Sequence, residues 1–118
     1  MGAPEFSNET ETIFALASGA GRAGIAIIRI SGPGSGPALA AIIGGKVGYP
    51  LKPRRATVVK LSDPETSEAI DDGLALWFPA PNSFTGEDVA EFHVHGGPAV
   101  VIGALDALSA MAGLRMAE

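Results

Sequence analysis

Cysteine is missing from the sequence altogether. Its absence removes disulfides, thiolate metal sites and cysteine nucleophiles together, and is compatible with a reducing compartment. Basic residues are few: 8 Lys plus Arg stand against 13 Asp plus Glu, for a formal net charge of −5. They are scattered along the chain, so no basic footprint for a phosphate backbone can be drawn, and direct nucleic-acid binding by this chain is not expected. No apolar run reaches the ~18 residues of a membrane-spanning helix, so no membrane span is expected. The opening Met1-Gly2-Ala3-Pro4-Glu5-Phe6 has neither the basic nor the apolar region of a signal peptide. Residues 1–10 are expected to be an appended, disordered leader, with residues 11–118 forming one domain. Asn8-Glu9-Thr10 has the form of a glycosylation sequon, but no sign of secretion gives it a context.

What is present is enough apolar material for a core: 47% of 118 residues, the size of one ordinary domain. The stretch Ser18-Gly19-Ala20-Gly21-Arg22-Ala23-Gly24 contains G-x-G-x-x-G after the apolar Ile13–Ala17. A dinucleotide loop needs a helix next and an acidic residue about 20 positions on. Instead Ile25-Ala26-Ile27-Ile28-Arg29-Ile30 reads as a strand, and the later position falls on Ile42-Ile43-Gly44-Gly45. The stretch is therefore expected to be a glycine-rich hairpin turn with Arg22 at its tip. Gly44-Gly45-Lys46 likewise lacks the rest of a phosphate loop: position 40 is Ala and position 47 is Val. Nucleotide hydrolysis by this chain alone is not expected.

Strands are expected at Thr12–Ala17, Gly24–Ser31, Ala56–Leu61, Leu74–Phe78 and Val89–His95, each bounded by Gly, Pro, Asp or Asn. A short helix fits Gly36–Gly44, with Pro37 near its start and Gly44 at its end. A longer one fits Ala99–Ala112, opened by Pro98 and closed by Gly113, with Val101, Leu105, Leu108 and Ala112 at helical spacing. A further strand starts around Leu114. The order β-β-α-β-β-β-α predicts an α+β fold: a mixed, mostly antiparallel sheet of about five strands with two helices.

Alternation along the second strand puts Ile25, Ile27 and Arg29 on one face and Ala26, Ile28 and Ile30 on the other. Arg29 then needs a carboxylate, a ligand or solvent, because an unpaired buried guanidinium is costly; a structural ion pair serves as well as a functional one. In Val89–His95 the core face is Ala90, Phe92 and Val94, and Glu91, His93 and His95 share the other. Two His at i and i+2 could ligate zinc with Glu91, but no further strong ligand supports this, and no metal site is expected. Pro79-Ala80-Pro81-Asn82-Ser83-Phe84-Thr85-Gly86-Glu87-Asp88 is a proline-stiffened connection of the kind that serves as a binding loop, or a turn bonded to its own backbone. Ser83 has no nucleophile elbow around it. Glu87 and Asp88, adjacent on an extended segment, point apart.

Thr12-Ile13-Phe14-Ala15-Leu16-Ala17, Gly21–Gly32, Ala75–Val89 with its Pro81-Asn82-Ser83-Phe84-Thr85-Gly86-Glu87-Asp88, and Glu91 with His95-Gly96-Gly97-Pro98 carry a likeness over most of residues 11–118. The chain resembles the N-terminal domain of the MnmE/TrmE family of tRNA-modification GTPases. The resemblance implies a fold like the folate-binding domain of aminomethyltransferases and a homodimer formed through this domain. It also implies a bound tetrahydrofolate derivative, in 5-formyl or methylene form, as one-carbon donor for a C5 substituent on the wobble uridine of tRNA. On this likeness Arg29 and Glu91 contact the folate, Arg22, Asn82, Ser83, Phe84, Thr85 and His95 line a pocket or interface, and His93 is incidental. A further basic contact of the family lies beyond the position matching Glu118, which implies a site incomplete within this chain. GTP, magnesium and potassium belong to a further domain of such proteins; a MnmG-type flavoprotein and tRNA are partners of the whole protein, which is cytoplasmic. A stand-alone folate-dependent aminomethyl or formyl transferase, and a pure dimerisation scaffold, are the alternatives.

Overall fold

The computed structural model describes residues 11–17, 24–44, 51–83 and 85–117. Six strands and two helices follow one another: β1 (Thr12–Leu16), β2 (Ile25–Ser31), α1 (Ser35–Ile43), β3 (Thr57–Ser62), β4 (Ala69–Phe78), β5 (Val89–His95), α2 (Pro98–Ser109) and β6 (Leu114–Met116). They form one sheet in the order β3-β4-β5-β2-β1-β6, antiparallel throughout except that β6 runs parallel to β1. The fold is α+β, and its sheet is mixed and mostly antiparallel, as the element order predicts. β1 and β2, on either side of the glycine-rich stretch, are antiparallel neighbours; residues 18–23 themselves, Arg22 included, lie outside the described residues, as do the leader 1–10 and Gly45-Lys46.

The core lies on one face of the sheet. Ala26, Ile28 and Ile30 of β2 and Ala90, Phe92 and Val94 of β5 are buried, and they join one cluster with Ala38, Leu39 and Ile42 of α1 and Val101, Ala104 and Leu108 of α2. Ile28 faces Phe92 directly across the ladder, and each such side chain contributes about 1.5–3 kcal/mol by leaving water. Both helices therefore cover the same face, and among the described residues no helix lies on the opposite one. That bare face carries Ile25 and Val58, 59% and 75% exposed, with Leu74 beside them.

Two elements differ in extent from the sequence-based expectation. β4 begins at Ala69, five residues before Leu74, because Asp71-Asp72-Gly73 extends the ladder opposite Val59, Lys60 and Leu61 despite the poor strand preference of these residue types. Gly73 is required there: a Cβ on it would stand 2.4 Å from the His93 carbonyl oxygen, so the two strands approach too closely for any side chain. α2 ends at Ser109, three residues before Ala112. The chain then turns through Gly113, at φ +85°, and delivers Leu114 opposite Thr12 in the parallel β6. Arg115 on β6 is tied to Glu11 by two hydrogen bonds of 2.8 and 3.1 Å, and the Arg115 hydrogen bond and charge hold the Glu11 carboxyl below its ordinary value.

Candidate functional site

The bare face carries the polar residues that alternation assigns to it. Core pairing of Ile28 with Phe92 and of Ile30 with Ala90 forces Arg29 opposite Glu91. The guanidinium places Nε 2.8 Å and Nη2 2.7 Å from Oε2 of Glu91, while Nε2 of His93 lies 3.0 Å from Oε1. The Arg29 and Glu91 side chains keep 32% and 14% of their exposure. Burial works to raise the Glu91 carboxyl. The His93 and Arg29 hydrogen bonds, joined by the charges of both groups, outweigh it and leave the carboxyl below its ordinary value. Glu91 is thus held as an anion. An ionised carboxylate has about four acceptor sites; among the described residues two bonds fall on Oε2 and one on Oε1, so an acceptor direction on Oε1 remains for an incoming donor.

Two shallow recesses flank this row. Toward β1, a cavity of about 210 Å³ is bounded by Ile13, Ala15, Ala17, Arg29, Ser31 and Thr85. Toward β4, one of about 310 Å³ is bounded by Ile25, Val58, Leu74, His93 and His95. The charged trio therefore lies between the two recesses, with Arg29 on the wall of one and His93 on the wall of the other.

The connection Pro79–Asp88 is latched onto the end of β2. Ser31 Oγ lies 2.8 Å from Thr85 Oγ1 and donates to Glu87 Oε1 at 3.1 Å, and the Asp88 carbonyl accepts the Gly32 N–H at 2.9 Å. At the other end Asp88 Oδ1 accepts the Ala80 N–H at 2.8 Å. The loop contains a cis Ala80–Pro81 peptide. These ties bring Thr85 to the wall of the smaller recess. Ser83 turns its hydroxyl back to the Glu87 carbonyl, and Asn82 sits at the exposed rim, its carbonyl accepting from Arg54. Phe84 lies outside the described residues.

Arg29, Glu91 and Thr85 thus meet around one end of the bare face. His95 stands at the other recess, where its Nδ1 and backbone N–H both bond Asp71, at 2.9 and 2.8 Å. Burial pushes the Asp71 carboxyl up, and the hydrogen bonds and charge of His95 bring it below its ordinary value. Sequence reasoning missed three participants: His93 on Glu91, Ser31 on the loop, and Asp71 on His95. Alternation puts Ser31 on the face of Arg29 and His93 on the face of Glu91, so their side of the sheet was readable; their partners depend on register and loop path. Among the described residues no group of three or more His, Asp or Glu is arranged to hold a metal ion.

Residues 12–118 match the family model described as "GTP-binding protein TrmE N-terminus". Over 108 residues the chain is 56% identical to a tRNA modification GTPase MnmE of Beijerinckia indica, with 92% of this chain and 23% of that protein covered. It is 60% identical over 107 residues to the mitochondrial 5-taurinomethyluridine-[tRNA] synthase subunit GTPB3 of Homo sapiens, covering 91% of this chain and 21% of that protein. A MnmE of Paramagnetospirillum magneticum is 61% identical over 110 residues, 92% of this chain and 24% of its own. The chain therefore spans about a quarter or less of the length of the curated relatives it matches.

Proposed function

Because the chain belongs to the family of TrmE N-terminal domains, we propose that it is the tetrahydrofolate-binding, self-associating part of a GTPase that modifies the wobble uridine of tRNA. The relatives' names carry the tRNA-modification half of this reading. GTP hydrolysis, with its magnesium and potassium, and contact with tRNA and a MnmG-type flavoprotein are assigned to the remainder of such a protein. The sequence carries no phosphate-loop motif, and its 8 Lys plus Arg are scattered along the chain. The names of the relatives give no support to a stand-alone aminomethyl or formyl transferase. Among the described residues no helix is long and apolar enough to cross a membrane.

The observation that carries the folate half is the Arg29–Glu91–His93 row beside an apolar recess. A reduced pterin ring presents N–H donors on one edge and an acceptor oxygen beside them, with flat apolar faces. Glu91, anionic and with an acceptor direction open on Oε1, suits a ring N–H; the Arg29 guanidinium suits an acceptor or carboxylate. The folate, when bound, supplies the one-carbon unit; this chain's residues bind and orient it. At about 210 Å³ the recess at Arg29 is smaller than the ~300–1,000 Å³ of a complete small-molecule pocket, so one chain covers part of an extended ligand. A second copy over the bare face would complete the enclosure and remove Ile25, Val58 and Leu74 from water.

Isothermal calorimetry with 5-formyltetrahydrofolate on the wild type and on Glu91→Ala tests the binding. Measurable affinity in the wild type and at least a tenfold loss in the variant is expected, since hydrogen bonds to charged groups contribute about 1.5–3 kcal/mol. Equal affinity in both, or none in either, rejects the folate reading for this chain. Analytical ultracentrifugation tests self-association, and a single monomeric species at high concentration counts against it.

A further inference from the structure

Glu91 is held from two sides, and only one of the two holders was conspicuous in the sequence. Arg29 bonds Oε2 alone, through both Nε and Nη2. An oxygen held at one point leaves the carboxylate free to turn about its last torsion, which for Glu is broad and roughly two-fold. The His93 bond to Oε1 removes that freedom. Glu91 is anionic and has no proton to give, so Nε2 of His93 carries the hydrogen.

The surroundings of His93 leave it little else to do. Across the ladder its neighbours are Ile27 on β2 and Leu74 on β4, both apolar. Opposite Glu91 stand Arg29 on β2 and Leu76 on β4. His95, the next residue of that face on β5, is bonded to Asp71, and Asp72 on β4 is paired with Lys60 on β3. Among the described residues, Arg29 on the facing strand and His93 on the strand of Glu91 itself are thus the groups that bond the Glu91 carboxylate.

We propose that His93 is a positioning residue: with Arg29 on Oε2 and the imidazole on Oε1, it fixes the plane in which Glu91 presents its remaining acceptor to a ligand's N–H. The proposal deepens the binding role given to Glu91 under Proposed function. A preset carboxylate loses no torsional freedom on binding, and an N–H edge meets it in one orientation.

The test uses this chain with His93→Phe, which keeps a ring and removes the donor, and His93→Gln, which keeps a donor of similar reach. The first readout needs no ligand: a carbon-13 NMR titration of the Glu91 carboxyl. His93→Phe is expected to raise its midpoint by about one pH unit, and His93→Gln to restore most of the shift. The second is calorimetry with 5-formyltetrahydrofolate, where His93→Phe is expected to lose roughly tenfold in affinity and His93→Gln to stay near the wild type. An unmoved Glu91 midpoint in His93→Phe overturns the proposal. So does wild-type affinity in His93→Phe when Glu91→Ala has lost binding. If the midpoint moves as expected and even the wild type binds no folate, the positioning of Glu91 stands and the folate reading falls.

Discussion

Replacing Arg29 with Met keeps most of the side chain's apolar stem and removes the charge that pairs with Glu91. Breaking a fully buried ion pair by removing one partner costs about 3–5 kcal/mol, and a solvent-exposed pair contributes about 0–1 kcal/mol. With 32% and 14% of the two side chains still exposed, the pair sits between these limits. Solvent screening of Arg29 then brings the expected loss to about 1–2 kcal/mol at neutral pH. Urea unfolding of the wild type, Arg29→Met, Glu91→Leu and the double variant measures it, and the double variant is expected to be less destabilised than the sum of the two single changes. The pH dependence supplies the sign. Glu91 titrates in the folded state below its ordinary value of 4.5. Its stabilisation is therefore complete above that value and disappears as the pH falls through the lower, folded one. In Arg29→Met, burial pushes the carboxyl up against His93 alone, its folded pKa rises, and less stability is lost in acid. The two stability curves should converge as the pH falls from above 4.5 through the lower, folded value of the wild type. A wild-type advantage that stays constant across that range, or double-variant energies that simply add, would refute the ion-pair account.

Three further outcomes follow from the same geometry. Phe92→Ala, at a residue 1% exposed and paired with Ile28, should cost about 3–5 kcal/mol in the same unfolding assay. Gly73→Ala should cost about 1–3 kcal/mol, because its Cβ meets the His93 carbonyl at 2.4 Å; amide exchange at the β4–β5 junction is expected to speed up around His93. Val58→Asp, on a side chain 75% exposed, should leave monomer stability within about 0.5 kcal/mol, yet weaken self-association in sedimentation if the bare face is the contact.

The parts of the fold legible in the sequence are those whose signal is local. Alternation assigned Ala26, Ile28 and Ile30 to one face and Arg29 to the other, and burial follows that division. Pro98 at the first turn of α2 and Gly44 at φ +69° after α1 sit where chain punctuation places them. The first half of β4 was not legible: the polar, glycine-containing Asp71-Asp72-Gly73 reads as a turn, and it is a strand because β3 pairs with it residue for residue. Strand order was equally hidden, since β2 reaches β5 over a separation of 62 residues at Arg29 and Glu91, and β6 joins β1 although Arg115 and Glu11 are 104 residues apart. At the site, Arg29 and Glu91 stood out as charges on strands. His93 did not, because its role rests on a single contact with its own strand neighbour two residues away.

The site takes its precision from the core. A side-chain period of two means that slipping β2 by one residue against β5 would carry Arg29 to the helix-covered face and Ile28 to the bare one. Such a slip exposes Ile28 and Ile30, both 0% exposed in the native register, and buries a guanidinium among apolar helix residues, so the core strongly rejects it. The pairing of Arg29 with Glu91 is therefore enforced by Ile28 on Phe92 and Ile30 on Ala90, one position to either side. Apart from the Ser31 latch that brings in Thr85, the groups proposed to meet a ligand all stand on strands whose register the core has already set. That is why changes in the core and on the bare face should separate experimentally. Phe92→Ala lowers stability while leaving the charge trio chemically intact, whereas His93→Phe and Arg29→Met alter the carboxylate with the hydrophobic layer beneath it untouched.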